Sequence, residues 1–422
     1  MGRKETGIPG STVFASAKHL PSPAAQWSFK MEVFTQSLQN YIATFSLNKA
    51  VMIVIIIFLF VGGIDRILGN RLGYGEKFLE GFEALGSLGA AMIGMIALVP
   101  VIKIVLGGVL GAFFRMIGAD PSLFAGILLG CDLGGYPLAM ELAESKAVGS
   151  FTGLVIASIM GINIVFNIPV GMGIIKESDR EFLATGMLVG FATVPIGCLA
   201  GGFVMMGSGF ELTVRDIIMN TIPVLVVALL IIIGLVFAQE KMLKGFITFG
   251  KGVTALVTAA TVIAVAQYLT GIRLPLFNVM VEPNAEGIIP LEDGFQVIGG
   301  IAIVLLGAFP MVMFITKKFS EPLKKAGAKF DLDEYAVAGM IANLANNIMM
   351  FQMMKDMKPK GKILNCAFTV SACFMLGDHL GFTAGVNQQL IVPMMAAKLA
   401  GGLTAVIAAN ALWSSVFRKK YE

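Results

Sequence analysis

Four ionisable side chains fall inside otherwise apolar stretches: Asp132, Glu141, Asp378 and His379. Charge at membrane depth is costly and marks substrate or ion paths. Asp132 opens Asp132-Leu133-Gly134-Gly135-Tyr136-Pro137, a run that breaks a helix, and Glu141 follows nine residues later. Asp378 and His379 stand in Leu376-Gly377-Asp378-His379-Leu380-Gly381-Phe382. Amides accompany them: Asn163 and Asn167 in one segment, Asn343, Asn346 and Asn347 in another. Carboxylates, amides, one imidazole and the rings of Tyr136 and Phe382 suit a small cation or polar amine, with carboxylate for charge, ring face for an ammonium and amide for a hydroxyl. No Arg or Lys cluster offers an anion site. Each residue also has a plainer reading. Glu141 can be solvated beside Glu144 and Lys146, Asp378 and His379 can hold two helices together, and the Asn343, Asn346 and Asn347 amides can satisfy backbone freed at a break.

These residues need a membrane scaffold, and composition supplies one. Of 422 residues, 56% are hydrophobic and 14% charged, and the mean hydropathy is +0.83; soluble domains carry about 25% charged residues. Val51–Gly63 and Ile222–Ala238 are nearly pure aliphatic runs, the stuff of bilayer-spanning helices. The net charge of +4 implies no nucleic-acid partner. The four cysteines, Cys131, Cys198, Cys366 and Cys373, lack metal-ligand spacing and read as buried thiols. No phosphate-binding glycine loop, HExxH or Ser-His-Asp order occurs, so neither an ATP-driven pump nor an enzyme is expected, and no cofactor.

The chain also repeats itself. Glu80-Gly81-Phe82-Glu83-Ala84-Leu85-Gly86 returns 213 positions later as Asp293-Gly294-Phe295-Gln296-Val297-Ile298-Gly299. The same offset joins Gly94 to Gly307 and Ala125-Gly126 to Ala338-Gly339; with drifting spacing, Gly161 and Phe166 match Gly377 and Phe382, and Leu199–Gly202 matches Leu399–Gly402. An internal repeat in a membrane chain points to two related halves around a central site.

Loop charges then set topology. Arg418-Lys419-Lys420 places the C-terminus in the cytoplasm, and the last span is expected at about 391–413. Lys355, Lys358, Lys360 and Lys362 precede a span at about 363–384, and Lys317, Lys318, Lys324, Lys325 and Lys329 demand the same side. The segment between, about 334–354, must enter and return, which predicts a re-entrant helical hairpin broken at Asn343-Leu344-Ala345-Asn346-Asn347. Its counterpart is expected at about 122–143. The remaining first-half spans fall near 48–64, 82–102, 150–175 and 184–206, and a linking span near 219–238. Five crossings before the second half make it an inverted repeat. The expectation is an all-α polytopic membrane protein of about 9 full spans plus 2 hairpins. Its parts are a disordered extension over 1–46, a first repeat over 47–208, a linker over 209–251, a second repeat over 252–413 and a basic tail over 414–422.

Several strings are specific enough to suggest a family. Gly134–Glu141 (GGYPLAME), Leu344-Ala345-Asn346-Asn347, Met354-Lys355-Asp356-Met357 and Gly377–Asn387 (GDHLGFTAGVN), with Gly75-Glu76-Lys77-Phe78 and Gly307–Val312, resemble the ethanolamine permease family of the ethanolamine-utilisation operon over about residues 47–413. Cys131, Asn163, Asn167 and the long extension depart from its pattern. The resemblance implies a bacterial inner-membrane importer of ethanolamine for catabolism, working by facilitated diffusion or by proton-coupled alternating access. Asp132 or Asp378 would take the ammonium, Tyr136 or Phe382 would stack on it, Asn346 and Asn347 would take the hydroxyl, and His379 would relay a proton or hold Asp378. A channel for small amines, or a carrier of another polar solute such as a nucleoside, are the alternatives. Carriers of this plan suggest a homodimer.

Overall fold

The computed structural model describes residues 23–329 and 331–421. The chain divides into two compact units, Met1–Ala50 and Val51–Glu422. In the first, Pro23–Ala43 is a helix (α1), in a stretch expected to lack structure; residues 1–22 of that extension lie outside the described residues.

Everything described beyond it is helix and turn. Among the described residues eight helices are long and apolar enough to cross a membrane, so this is a multi-pass membrane protein: Leu47–Ile67 (α2), Tyr74–Met116 (α3), Lys146–Ile174, Glu177–Gly207, Val214–Phe237, Gln239–Thr270, Pro290–Lys318 and Gln388–Tyr421. Burial sorts them. The apolar window of Lys146–Ile174 is 78% buried against 17% for α2, so the former runs through the core and the latter along its edge.

Between α3 and Lys146 lie two short helices, Leu123–Leu128 (α4) and Tyr136–Leu142 (α5), joined by a wide turn over Cys131–Gly135. Gly134 takes a left-handed φ of 88° in that turn, where only glycine is at ease. Lys146–Ile174 (α6) is itself irregular, with a break at Met160. Then come Arg180–Gly207 (α7), Val214–Phe237 (α8), Gln239–Thr270 (α9) and Pro290–Lys329 (α10). A second short pair follows, Glu334–Ala345 (α11) and Asn347–Met353 (α12), with Asn346 in extended conformation between them. Pro359–Ala372 (α13) and Asp378–Val386 (α14) lead to Ile391–Leu412 (α15).

The span expected at 363–384 is not one helix. It is cut at 373–377, where Phe374 adopts a left-handed φ of 59°. The freed backbone is satisfied from α11: Phe374 N donates to Asn343 O and Leu376 N to Leu344 O, at 3.0 and 2.8 Å. Tertiary hydrogen bonds replace helical ones, which is the condition for irregular backbone inside a membrane protein. Hence, among the described residues, eight candidates stand where about nine were expected.

Both short pairs are clamped by an aspartate at their entry. Asp120 Oδ1 accepts from Ser122 N at 2.9 Å and its Oδ2 from Glu144 N at 3.1 Å. Asp333, 213 positions on, accepts from Ala336 N at 3.0 Å and from Lys358 N at 2.9 Å. In each pair the chain therefore returns to within a hydrogen bond of where it set out.

Close packing follows the same offset. A Cβ on Gly94 would lie 2.1 Å from Val257 O of α9, and one on Gly307 would lie 2.3 Å from Ile55 O of α2. Gly81 of α3 sits against the backbone of Leu305 and Leu306 in α10, while Gly294 of α10 sits against Ile93 of α3. Residue 81 meets 306 and residue 93 meets 294, so α3 and α10 pack antiparallel through equivalent positions.

Candidate functional site

The wide turn after α4 brings Asp132 to the start of α14. His379 Nε2 lies 3.4 Å from Asp132 Oδ1, longer than a good N–H···O bond. His379 has no exposed surface and Asp132 is 8% exposed. Asp132 Oδ1 and both His379 ring nitrogens are buried without a hydrogen-bond partner. Such orphans are rare in a finished core and invite a ligand or water. The imidazole rests on Phe374, centroids 5.3 Å apart. Asp378 heads α14 and is half-buried. One turn later on the same face comes Phe382, edge-on to Tyr136 with centroids 6.0 Å apart and planes at 81°.

That ring pair lines a cavity of about 980 Å³ walled by α3, α5, α10, α14 and the loop before α10. Acidic groups mark its wall and mouth: Glu141, Glu282, Glu286 and Asp293. Two carry partners, Glu141 with Lys103 Nζ at 2.9 Å and Glu282 with Arg273 at 3.6 Å, all of them more than a third exposed. Glu141 thus belongs to the wetted wall and stands apart from Asp132 and His379.

The amides form a second cluster. Asn347 Nδ2 donates to Asn167 Oδ1 at 2.6 Å, Asn167 Nδ2 to Asn163 Oδ1 at 2.8 Å, and Asn163 Nδ2 to Val370 O at 2.8 Å. All three are fully buried. Asn343 Nδ2 donates to Thr369 Oγ1 at 2.8 Å. Asn346 caps α12 through Ile348 N at 2.8 Å. These amides tie the second short pair to α6 and α13, and Asn346 in particular spends its oxygen on backbone. The oxygens of Asn343 and Asn347 remain unpartnered.

One central residue escaped the sequence reading. Lys398, in the first half of α15, is fully buried and its Nζ donates to the Cys373 carbonyl at 2.9 Å, beside the cut before α14. A lone lysine in Ala396-Ala397-Lys398-Leu399-Ala400 is the same kind of signal as Asp132 and could have been found by the same rule. Cys131 Sγ, an Asp132 oxygen and a His379 nitrogen lie within 4.8 Å of one another. That trio has donors for a soft divalent cation, but the nearby ammonium opposes one.

Residues 47–412 match the family model described as "Ethanolamine utilisation protein, EutH". The chain belongs to the EutH family. Among curated relatives of this EutH-family chain, the probable ethanolamine permease EutH of Listeria monocytogenes is 48% identical over 361 residues, covering 86% of this chain and 93% of the relative. The Escherichia coli protein of the same name is 46% identical over 387 residues, 85% and 94% of the two chains. An uncharacterized Bacillus subtilis protein, YxeR, is 42% identical over 366 residues, 86% and 94%. No solved structure matches.

Proposed function

We propose that this chain carries ethanolamine across the bacterial inner membrane, with its basic C-terminus in the cytoplasm. The observation that carries the reading is the buried, loosely met Asp132–His379 pair close to the Tyr136–Phe382 ring pair that lines the cavity, in a chain whose relatives are named for ethanolamine. Protonated ethanolamine has one ammonium and one hydroxyl. The ammonium goes to Asp132, held in orientation by His379, with the ring faces of Tyr136 and Phe382 supplying cation–π attraction. Asp378, one turn from Phe382, is the second carboxylate within reach. The hydroxyl takes one of the unpartnered polar atoms nearby. The acidic wall of the cavity raises the local concentration of a cation. Nothing in this scheme breaks or makes a covalent bond, so the chain acts as a permease and not as an enzyme.

Alternating access is the mechanism we infer, through an inverted repeat with two re-entrant hairpins. The antiparallel packing of α3 on α10 at equivalent residues supports inversion. Repeats related by an axis along the membrane normal would run equivalent helices in one direction. The aspartate clamps that close each short pair on itself support the hairpins. The Arg418-Lys419-Lys420 tail supports the orientation.

Uptake of labelled ethanolamine into proteoliposomes, with and without an inside-alkaline pH gradient, tests this. Saturable uptake that stops at equilibrium identifies a facilitator. Accumulation that requires the gradient identifies proton symport. Uptake that never saturates makes the chain a channel, saturable uptake of nucleosides in preference to ethanolamine assigns another substrate, and no uptake above protein-free vesicles removes the transporter reading altogether.

A further inference from the structure

A fully buried lysine in a membrane helix is costly unless its charge is met. The Lys398 charge is met by backbone. Its Nζ donates to Ser158 O at 2.7 Å, Cys373 O at 2.9 Å and Ser371 O at 3.3 Å. Among the described residues no carboxylate makes an ion pair with it.

The three carbonyls come from both halves, at places where the helices give out. Ser158 stands two residues before the break of α6 at Met160. Ser371 lies in the last turn of α13 and Cys373 is its cap. Carbonyls of a last turn lack intrahelical partners and carry the negative end of the helix dipole. Hard oxygens converging from broken helices and helix C-termini are how carriers hold an alkali coupling ion. Here a tethered ammonium fills that position.

We propose that Lys398 occupies a carbonyl-lined alkali-cation site, so that transport needs neither sodium nor potassium, and that trimming the side chain opens the site to one of them. The transport half of this statement rests on the permease reading; the binding half does not.

Thermal unfolding of the purified protein is the first arm, in sodium, potassium or N-methylglucamine chloride at equal ionic strength. The wild-type midpoint is expected to be the same in all three. Lys398→Ala should unfold earlier in N-methylglucamine and gain stability with the logarithm of sodium or potassium concentration above its Kd. Lys398→Met fills the space with a neutral chain and should show no cation response. In the second arm, ethanolamine uptake by Lys398→Ala should fall roughly tenfold without alkali cations, the size of a 1.4 kcal/mol effect, and recover in part with them. A wild type that responds selectively to sodium or potassium overturns the inference, as does a Lys398→Ala midpoint equal in all three salts. So does a Lys398→Ala protein that fails to fold in every salt. One that folds only with sodium or potassium supports it. Absence of uptake by the wild type would remove the permease reading while leaving the thermal result to stand on its own.

Discussion

The breaks of the two short helical pairs, at Cys131–Gly135 and at Asn346, carry opposite chemistry. At the first, Asp132 reaches His379 across a loose 3.4 Å gap and leaves several polar atoms unmet. At the second, Asn347 reaches Asn167 at 2.6 Å, and the chain of amides continues to Asn163 and the Val370 carbonyl. Each joins a short helical pair of one half to the broken segment of the other. One contact is ionisable and loosely met, the other neutral and tied by short hydrogen bonds. The buried side chains of α15 and α7 repeat the contrast, since Leu399–Gly402 matches Leu199–Gly202 and the residues just before are Lys398 and Cys198. A neutral amide chain gives firm, uncharged adhesion; a loosely held ion pair gives a place where an ammonium can bind. The two short pairs thus make similar contacts, and of the two contacts only the first carries charge.

The largest expected effect tests whether the two contacts are built alike. A Cβ on Gly161 would lie 2.0 Å from Leu129 O, and one on Gly377 would lie 2.1 Å from Ala345 O. Neither backbone oxygen can step aside, so Gly161→Ala and Gly377→Ala should each cost roughly 3 kcal/mol, seen as matched losses of thermal midpoint. A cost at one position only would break the equivalence. Next comes the charge. Asp132→Asn removes the ionised member of a buried pair, which costs about 2–5 kcal/mol of interaction, so ethanolamine uptake should fall by about 100-fold or more while the midpoint moves little. Third, Asn347→Ala leaves the Asn167 oxygen buried without its donor and should lower stability by about 1–3 kcal/mol. Uptake per folded molecule should change less than about threefold, because half a unit of log rate is well under 1 kcal/mol. Smallest is Glu141→Gln. Its pair with Lys103 is more than a third exposed and is worth under about 1 kcal/mol, so KM should rise a few-fold at low salt, with kcat unchanged and the difference vanishing at high salt.

The sequence made part of this legible. Gly94 and Gly307 are visible as a repeat because a backbone carbonyl presses on each and tolerates no Cβ. Asp132, His379, Tyr136 and Phe382 stand out because polar and aromatic residues at helix breaks are few in so apolar a chain. The cut at 373–377 was not legible. Phe374 bears the left-handed φ, a residue that gives no warning, and its partners come from Asn343 and Leu344. The partner of His379 was hidden likewise. Adjacency suggested Asp378, whereas the structure sets Asp132 against it, and 247 positions separate the two. Asp120 and Asp333 gave no sequence signal beyond their spacing, since what they hold is backbone 24 and 25 positions away. Lys398 was legible in principle, but the carbonyls that make its burial tolerable are set by tertiary structure alone.

Equilibrium binding of ethanolamine to purified wild type, Asp132→Asn and Asn347→Ala, by calorimetry in detergent, tells which of the two contacts holds the ammonium. Saturable binding to wild type is expected, retained in Asn347→Ala and lost in Asp132→Asn. Binding that survives Asp132→Asn and disappears with Asn347→Ala would place the substrate at the amide break and contradict the Asp132 assignment.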